Sequence, residues 1–308
     1  MEIALQFGLL VLGFVMLAKG ADWFVEGAAG IAMRFGIPQL VIGLTIVAMG
    51  TSAPEAAVSI AAAVKGNADI TIGNIVGSNI LNILIILGLA ASIVPIAVAR
   101  STVRIEIPFM IGVTALLFYQ GRDGSISLAD GGVLMVAFAV YMMYLYTMAM
   151  KSNVDSDLEE TGLPLGRCLL GAVGGLALII AGSNVTVGAA TSIATYAGLS
   201  ERFIGLTIVA LGTSLPELFT SVAAARRGNA DIAIGNIVGS NIFNILFVVG
   251  LSALIIDIPF ASAFNFDTYV ALGAAVLLWL CVLRTQRLQR WAGALMLVCY
   301  AAYLGYIL

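Results

Sequence analysis

The chain has 308 residues, of which 61% are hydrophobic and only 10% are charged, and its mean hydropathy is +1.08. Such values exclude a soluble globular domain and indicate an integral membrane protein. The absence of histidine excludes a His-ligated zinc site and a Ser-His catalytic pair, and the three scattered cysteines have no metal-binding or disulfide spacing. The small net charge of −3 gives no sign of a nucleic-acid partner.

Apolar segments long enough to cross a bilayer recur along the whole chain, and glycine, proline and charged residues mark their ends. The first and sixth segments contain polar interruptions, so each is either one long tilted helix or a span followed by an amphipathic piece. The sequence predicts an all-α integral membrane protein. Its ten transmembrane helices are expected at 3–33, 37–64, 70–96, 103–120, 126–149, 164–194, 199–225, 232–256, 268–284 and 289–307.

The chain contains an internal duplication. A shift of 162 residues lays 42–88 onto 204–250 with about 34 identities in 47 positions. Each half then holds five spans, and an odd number makes the second half enter the membrane from the opposite side, which is typical of transporters with a midplane site. We therefore predict two inverted five-helix repeats, 1–150 and 164–308, joined by a linker at 151–163.

The basic residues predict the orientation. Ten of them fall on one side of the ten-span layout and only three, Lys65, Arg122 and Arg202, on the other. The positive-inside rule makes the crowded side cytoplasmic and places both termini outside. The acidic linker then becomes a cytoplasmic, solvated hinge. The crowded side carries Arg34, Arg100, Arg104, Lys151, Arg167, Arg226, Arg227, Arg284, Arg287 and Arg290.

The second span carries the run 50–55, Gly-Thr-Ser-Ala-Pro-Glu, and the seventh repeats it as 212–217, Gly-Thr-Ser-Leu-Pro-Glu. A carboxylate at membrane depth is costly without a partner, so Glu55 and Glu217 are candidate functional residues. Packing alone does not explain a glutamate beside a proline at the same place in both halves. Each proline also kinks its helix and releases a backbone carbonyl oxygen.

Further oxygen donors follow on the next spans. Thr51, Glu55 and Ser59 share one helix face, and their counterparts recur 162 residues later. Carboxylate, hydroxyl, amide and carbonyl oxygens suit Ca²⁺ or Na⁺ rather than a soft metal. Two glutamates supply a charge of −2, which neutralises one Ca²⁺ or partly accommodates several Na⁺, as an exchanger requires. The donors on the third and eighth spans are Ser78, Asn82, Ser240 and Asn244.

These paired motifs, 50–55 with 73–82 and 212–217 with 235–244, resemble the two alpha-repeats of the cation/calcium antiporter superfamily, above all its prokaryotic sodium/calcium exchanger branch. The resemblance implies a central calcium site at Glu55 and Glu217 with backbone oxygens of Thr51 and Thr213. It implies one flanking sodium site from Ser52, Ser78 and the Ala48 carbonyl, and another from Ser214, Ser240 and the Ala210 carbonyl. Asn82 and Asn244 complete the polar ring. It also implies a protein of the prokaryotic inner (plasma) membrane, with no cofactor beside the transported Ca²⁺ and Na⁺. The sequence does not report the oligomeric state, and a monomer is one of the options left open.

The alternative within transport is a proton/calcium antiporter, because buried glutamates can carry protons. The hydroxyl-rich runs favour sodium. The chain lacks the catalytic pairs of an intramembrane hydrolase, so no enzyme is predicted. A passive channel is disfavoured because a site with this much fixed charge would hold calcium too tightly for rapid flow.

The first and sixth spans are predicted to slide against the rest. Outside the site, Glu106 and Asp123 are interpreted as loop or helix-end charges.

Overall fold

In the computed structural model, the chain is almost entirely helical, as predicted. The structure describes residues 2–66, 68–152, 164–198 and 210–307. Within these residues, eight helices are long and apolar enough to cross a membrane, and a ninth candidate is a pair of helices bent by 52°. The all-α membrane class is confirmed. The start of the predicted seventh span, 199–209, lies outside the described part, and so does most of the predicted linker, 153–163.

The helices of the first half include three segments in which the backbone is π-helical, labelled π1 to π3. A 3₁₀ turn, Gly121–Asp123, precedes the last helix of this half. The elements are α1 (Glu2–Arg34), α2 (Gln39–Ile42), π1 (Gly43–Val47), α3 (Ala48–Thr51), α4 (Ala53–Val64), α5 (Asp69–Leu81), π2 (Asn82–Leu87), α6 (Gly88–Ile93), π3 (Thr102–Glu106), α7 (Ile107–Gln120) and α8 (Leu128–Ser152).

The second half repeats this order in its described residues, with one π-helical segment, π4. The elements are α9 (Leu165–Tyr196), α10 (Ala210–Thr213), α11 (Leu215–Arg226), α12 (Ala230–Phe243), π4 (Asn244–Val249), α13 (Gly250–Ile255), α14 (Ala263–Leu283) and α15 (Arg290–Ile307).

Two short antiparallel strand pairs join the halves. Strand β1 (Ile96–Ala97) pairs with β4 (Arg287–Leu288), and β2 (Ser125–Ile126) pairs with β3 (Ile258–Pro259). A shift of 162 residues turns β1 into β3 and β2 into β4. The two pairings are therefore equivalent, and each half contacts the other through the same positions.

The long helices α1 and α9 are continuous through their polar interruptions, so each predicted span with such an interruption is one helix. They pack backbone to backbone, because glycines line their contact. A Cβ built on Gly27 would lie 2.4 Å from the Ala172 nitrogen, and one on Gly175 would lie 2.5 Å from the Phe24 nitrogen. Glycine is required at these positions because a side chain would separate the helices.

The segments α5–π2–α6 and α12–π4–α13 form the core. In their most apolar windows 78% and 83% of the residues are buried, against 17% for α1. Gly235 and Gly239 of α12 approach the backbone of Gly43 and Leu44 in π1, where an added Cβ would lie 3.1 and 2.7 Å from a backbone atom. These core helices, which carry part of the candidate site, have the most buried windows among the candidate membrane spans of the described residues.

The glycine contact between α1 and α9 gives a matched test. Gly175→Ala places a methyl group against the α1 backbone, whereas a Cβ on Gly174 meets nothing within 4 Å. Both changes raise helix propensity, so only the first adds overpacking, which costs about 1–3 kcal/mol. We expect Gly175→Ala to melt at a lower temperature than Gly174→Ala in detergent. Equal melting temperatures would show that the helices separate without cost.

Candidate functional site

Each predicted motif lies at a break between two short helices. Helix α3 ends at Thr51 and α4 begins at Ala53, while Ser52 between them has a non-helical ψ of 5°. Pro54 lies in the first turn of α4, where its missing N–H costs no helical hydrogen bond. The second half has the same break at Ser214, where ψ is 3°. The proline thus restarts the helix in a new direction, and a glutamate follows it.

The two glutamates point into the protein from opposite halves. Glu55 and Glu217 each have 1% of their surface exposed. The Ser52 hydroxyl donates to Glu217 Oε1 over 2.8 Å, and the Ser214 hydroxyl donates to Glu55 Oε1 over 3.4 Å. Ser52 and Ser214 lie three residues before the glutamate of their own half, so these reciprocal bonds bring the two carboxylates to one region. Each half therefore supplies one carboxylate and the hydroxyl that contacts the other half's carboxylate.

Half of each carboxylate lacks a partner. The Oε2 atoms of Glu55 and Glu217 are buried and accept no hydrogen bond. Among the described residues, ion pairs are made only by Arg227, with acidic residues of α1. A buried carboxylate without a basic neighbour is strongly unfavourable unless a cation or a proton compensates its charge.

Four asparagines bridge the core segments α5–π2 and α12–π4. The Asn82 amide donates to Asn241 Oδ1 over 2.9 Å, and the Asn244 amide donates to Asn79 Oδ1 over 3.1 Å. Asn79 and Asn241 in turn donate to each other's backbone carbonyl, both over 3.2 Å. This arrangement leaves Oδ1 of Asn82 and of Asn244 buried without a partner. Two amide oxygens therefore remain available as ligands.

The remaining predicted residues of the first half lie close by. The Thr51 hydroxyl donates to Asn236 Oδ1 over 3.0 Å. Ser78 is buried with 3% of its surface exposed. The Ala48 carbonyl accepts a hydrogen bond from Ser240 over 3.3 Å. The serine bonded to this carbonyl thus comes from the second half, while the grouping of Ser52, Ser78 and the Ala48 carbonyl around one Na⁺ stays a prediction.

The corresponding part of the second half is described only from Ala210 onward. Ala210 begins the short helix α10, and the residues before it lie outside the described part. The Thr213 hydroxyl lies close to the Glu55 carboxylate. The structure thus brings Thr213 to the site, while the surroundings of the Ala210 carbonyl remain a prediction.

Sequence reasoning missed two positioning asparagines. Asn74 donates to the Glu55 carbonyl over 3.3 Å and to the Ser59 hydroxyl over 2.9 Å. Its counterpart Asn236 donates to the Glu217 carbonyl over 3.4 Å and to the Ser221 hydroxyl over 2.9 Å. Ser59 and Ser221, on the helix faces predicted to carry ligands, therefore accept hydrogen bonds from these asparagines. The signal was present, since Gly-Asn-Ile-Val-Gly-Ser-Asn occurs in both halves.

The interpretation of Glu106 as a helix-end or loop charge is wrong. Its side chain is fully buried beside α8, and its carboxylate accepts a hydrogen bond from the Tyr144 hydroxyl. A sequence window around Glu106 does not reveal this, because the flanking Arg104 is exposed and gives the segment the appearance of a helix end. Asp123 is exposed in the 3₁₀ turn, as expected.

Comparison with known proteins identifies the family. A family model described as "Sodium/calcium exchanger protein" matches residues 5–147 and 168–308. The chain belongs to the sodium/calcium exchanger family. Its relatives include the inner membrane protein YrbG of Escherichia coli, which is 41% identical over 80% of this chain and 79% of YrbG. The sodium/calcium exchanger MaX1 of Methanosarcina acetivorans is 32% identical over 98% of both chains.

A solved structure agrees with this family assignment. The sodium-calcium exchanger NCX_Mj, soaked with zero Na⁺ and Ca²⁺, matches with a TM-score of 0.87 and 32% identity over 99% of this chain and 100% of that chain. The resemblance drawn from the paired motifs is therefore confirmed. Members of this family are membrane transporters rather than enzymes, and they move their ions without a cofactor.

The unpartnered carboxylate oxygens predict the effect of removing either charge. Glu55→Gln or Glu217→Gln keeps the side-chain volume and removes one of two anionic ligands, which costs about 3 kcal/mol or more. We expect each variant to bind calcium isotope at least about 100-fold more weakly. Asp123→Asn, which removes an exposed carboxylate, serves as the control. Near-normal binding by either glutamine variant would contradict this assignment.

Proposed function

We propose that the chain is a sodium/calcium antiporter that exchanges Na⁺ for Ca²⁺ by alternating access at a site between Glu55 and Glu217. The observation that carries this proposal is the pair of buried carboxylates, one from each half, whose Oε2 atoms lack any partner. A transported cation supplies the missing charge. This arrangement favours cation exchange because an empty site would leave both carboxylates uncompensated.

The oxygen set selects the cations. Two carboxylates neutralise one Ca²⁺, and hydroxyl and carbonyl oxygens beside them suit Na⁺. We assign Ca²⁺ to Glu55, Glu217 and backbone oxygens of Thr51 and Thr213. Na⁺ occupies flanking positions formed by serine hydroxyls and backbone carbonyls, while amide oxygens complete the ring. These further ligands are Ser52, Ser78, Ser214, Ser240, Ala48, Ala210, Asn82 and Asn244.

We propose ten spans arranged as two inverted repeats, 1–150 and 164–308. The equivalent strand pairs and the reciprocal asparagine contacts support a twofold relation between the halves. Five spans per half then invert the second repeat and place both termini outside, with the linker 151–163 in the cytoplasm. The name of the Escherichia coli relative supports an inner-membrane location. A monomer is sufficient, since both carboxylates belong to one chain.

Alternating access assigns the movement to α1 and α9. These helices lie outside the core and touch each other through glycines, so they can slide as a pair. Two polar contacts hold them in the present position. The Ser183 hydroxyl of α9 donates to the Gly212 carbonyl over 2.7 Å. Arg227 pairs with Asp22 and Glu26 of α1, both over 3.2 Å.

A proton/calcium antiporter remains the second candidate, because the same carboxylates can carry protons. The serine hydroxyls that donate to both carboxylates favour sodium, since protons require no such ligands. The relatives MaX1 and NCX_Mj are named sodium/calcium exchangers, which supports the same choice.

Proteoliposomes separate the two candidates. We expect an outward sodium gradient to drive uptake of calcium isotope, and an equal proton gradient to drive little. Because the hydroxyl ligands suit Na⁺ and are not needed for H⁺, calcium uptake driven by the sodium gradient should exceed uptake driven by the proton gradient more than tenfold. The Glu217→Gln variant provides the zero-flux control. Calcium uptake driven only by the proton gradient would establish the second candidate instead.

The Arg227 ion pairs predict an asymmetry between the halves. The repeat counterpart of Arg227 is Lys65, and the counterparts of Asp22 and Glu26 are the uncharged Asn184 and Gly188. Each partly exposed pair is worth about 0.2–1 kcal/mol. Arg227→Gln should increase hydrogen–deuterium exchange in the α1 segment 22–34, whereas Lys65→Gln should not. Equal exchange in both variants would show that the pairs do not hold α1.

A further inference from the structure

A groove of about 470 Å³ lies along the contact between α1 and α9. All its described lining residues belong to these two helices, and none of them is a candidate ion ligand. Its volume is typical of ligand pockets, which enclose roughly 300–1,000 Å³. The groove therefore offers a binding site that the proposed exchange reaction does not use.

Much of the groove lining is apolar, and part of it faces outward. Trp23 and Leu170 are 52% and 73% exposed, whereas Gly27 and Cys168 are buried. Gly174 leaves open space beside them, because a Cβ built on it meets no atom within 4 Å. Large exposed apolar side chains on a membrane protein contact lipid. An occupant that enters from the bilayer therefore brings its acyl chains against this surface.

Two opposite charges also line the groove without pairing with each other. Arg167 is exposed, and among the described residues its guanidinium makes no hydrogen bond or ion pair. Glu26 accepts from Arg227 through Oε2, while its Oε1 accepts no hydrogen bond from a described residue. Because Arg227 also pairs with Asp22, one guanidinium serves two carboxylates, and one negative charge remains. The groove thus offers a ligand both a free cation and a carboxylate oxygen.

We propose that this groove binds a phospholipid with a zwitterionic amine headgroup, of the phosphatidylethanolamine class. Arg167 binds the phosphate, because a guanidinium matches phosphate geometry with two parallel hydrogen bonds. The ammonium group donates to Glu26, and the acyl chains lie against the exposed apolar side chains. The headgroup carries both charges on one short ethylene link, so a single molecule satisfies both residues.

The carboxylate of Glu26 disfavours the other occupants. An anionic phospholipid matches Arg167 but brings a net negative charge near Glu26, with no cation to offset it. A phosphatidylcholine headgroup carries a cation without an N–H group, so it cannot donate to the carboxylate. The acidic linker 151–163 would meet the same repulsion as an anionic lipid. The amine headgroup alone supplies a phosphate for the arginine and a charged donor for the glutamate.

The position of Arg167 along its helix suits a headgroup contact. Helix α9 begins at Leu165, so Arg167 lies in its first turn, and Leu170 lies about one turn deeper. Basic residues at the cytoplasmic ends of membrane helices bind lipid headgroups. On the orientation proposed above, the lipid belongs to the cytoplasmic leaflet. The choice of leaflet rests on that orientation, whereas the binding of the lipid depends neither on it nor on the transported ion.

Lipid titration of the purified, delipidated chain in detergent tests the site. Native mass spectrometry measures the binding of dioleoyl-phosphatidylethanolamine, dioleoyl-phosphatidylglycerol and dioleoyl-phosphatidylcholine. We expect the ethanolamine lipid to bind about fivefold more tightly than either of the others, because it alone adds the ammonium–carboxylate contact. Equal affinity for the three lipids, tighter binding of phosphatidylglycerol, or no binding of any of them would overturn the proposal.

Two variants separate the headgroup contacts. Glu26→Gln should weaken binding of the ethanolamine lipid about fivefold without weakening that of phosphatidylglycerol. Arg167→Gln should weaken both lipids, because both carry the phosphate. Asp22→Asn is the control, since Asp22 also pairs with Arg227 but does not line the groove. If Asp22→Asn lost as much lipid selectivity as Glu26→Gln, the direct contact with Glu26 would be contradicted.

A third variant fills the groove without touching its charges. Gly174→Leu projects a side chain into the groove at a position where an added Cβ meets nothing within 4 Å. Gly188→Leu is the matched control, because its Cβ is equally unobstructed on the same helix and it lies outside the groove. We expect only Gly174→Leu to lose the ethanolamine lipid, while both variants melt alike without lipid. Wild-type lipid affinity in Gly174→Leu would contradict binding in this groove.

Discussion

The structure depends on keeping two carboxylates, Glu55 and Glu217, close together in an apolar interior without a basic partner. Their mutual repulsion and their loss of hydration both oppose burial, and hydroxyl bonds from Ser52 and Ser214 satisfy only one oxygen of each. A cation of the right charge relieves both penalties at once. The same imbalance makes a protein of this kind a transporter, since the site favours being filled and its cargo must leave before another ion can replace it.

Much of the surrounding fold serves to hold those carboxylates in place. The proline-induced breaks start a new helix immediately before each glutamate, so its side chain leaves the first turn of α4 or α11. Asn74 and Asn236 bind the glutamate backbones from the neighbouring helices, and Asn79 with Asn241 ties α5 to α12. These contacts belong to the buried core. The less buried α1 and α9 contact each other through glycines, which leaves them suited to movement.

The fold class and the paired glutamate motifs could be predicted from the sequence. Hydropathy is a property of each segment, and the repeat appears when the sequence is aligned with itself, so neither requires knowing which segments touch. Contacts between segments could not be predicted in this way. The Ala48 carbonyl meets Ser240 of the other half, and this pairing depends on how α3 and α12 cross. Glu106 looked like a helix-end charge because nothing nearby in the sequence shows that Tyr144, 38 residues away, covers it. The asparagines were visible in both repeats, but their direction toward the helix backbones required the packed structure.

The central claim is that one calcium ion is held jointly by a carboxylate from each half. Crystals grown with calcium and measured at a long wavelength would locate the ion directly through its anomalous scattering. The account predicts a single peak about 2.3–2.6 Å from oxygens of both Glu55 and Glu217. A peak bound to only one of these glutamates, or two peaks that each contact a single glutamate, would contradict it.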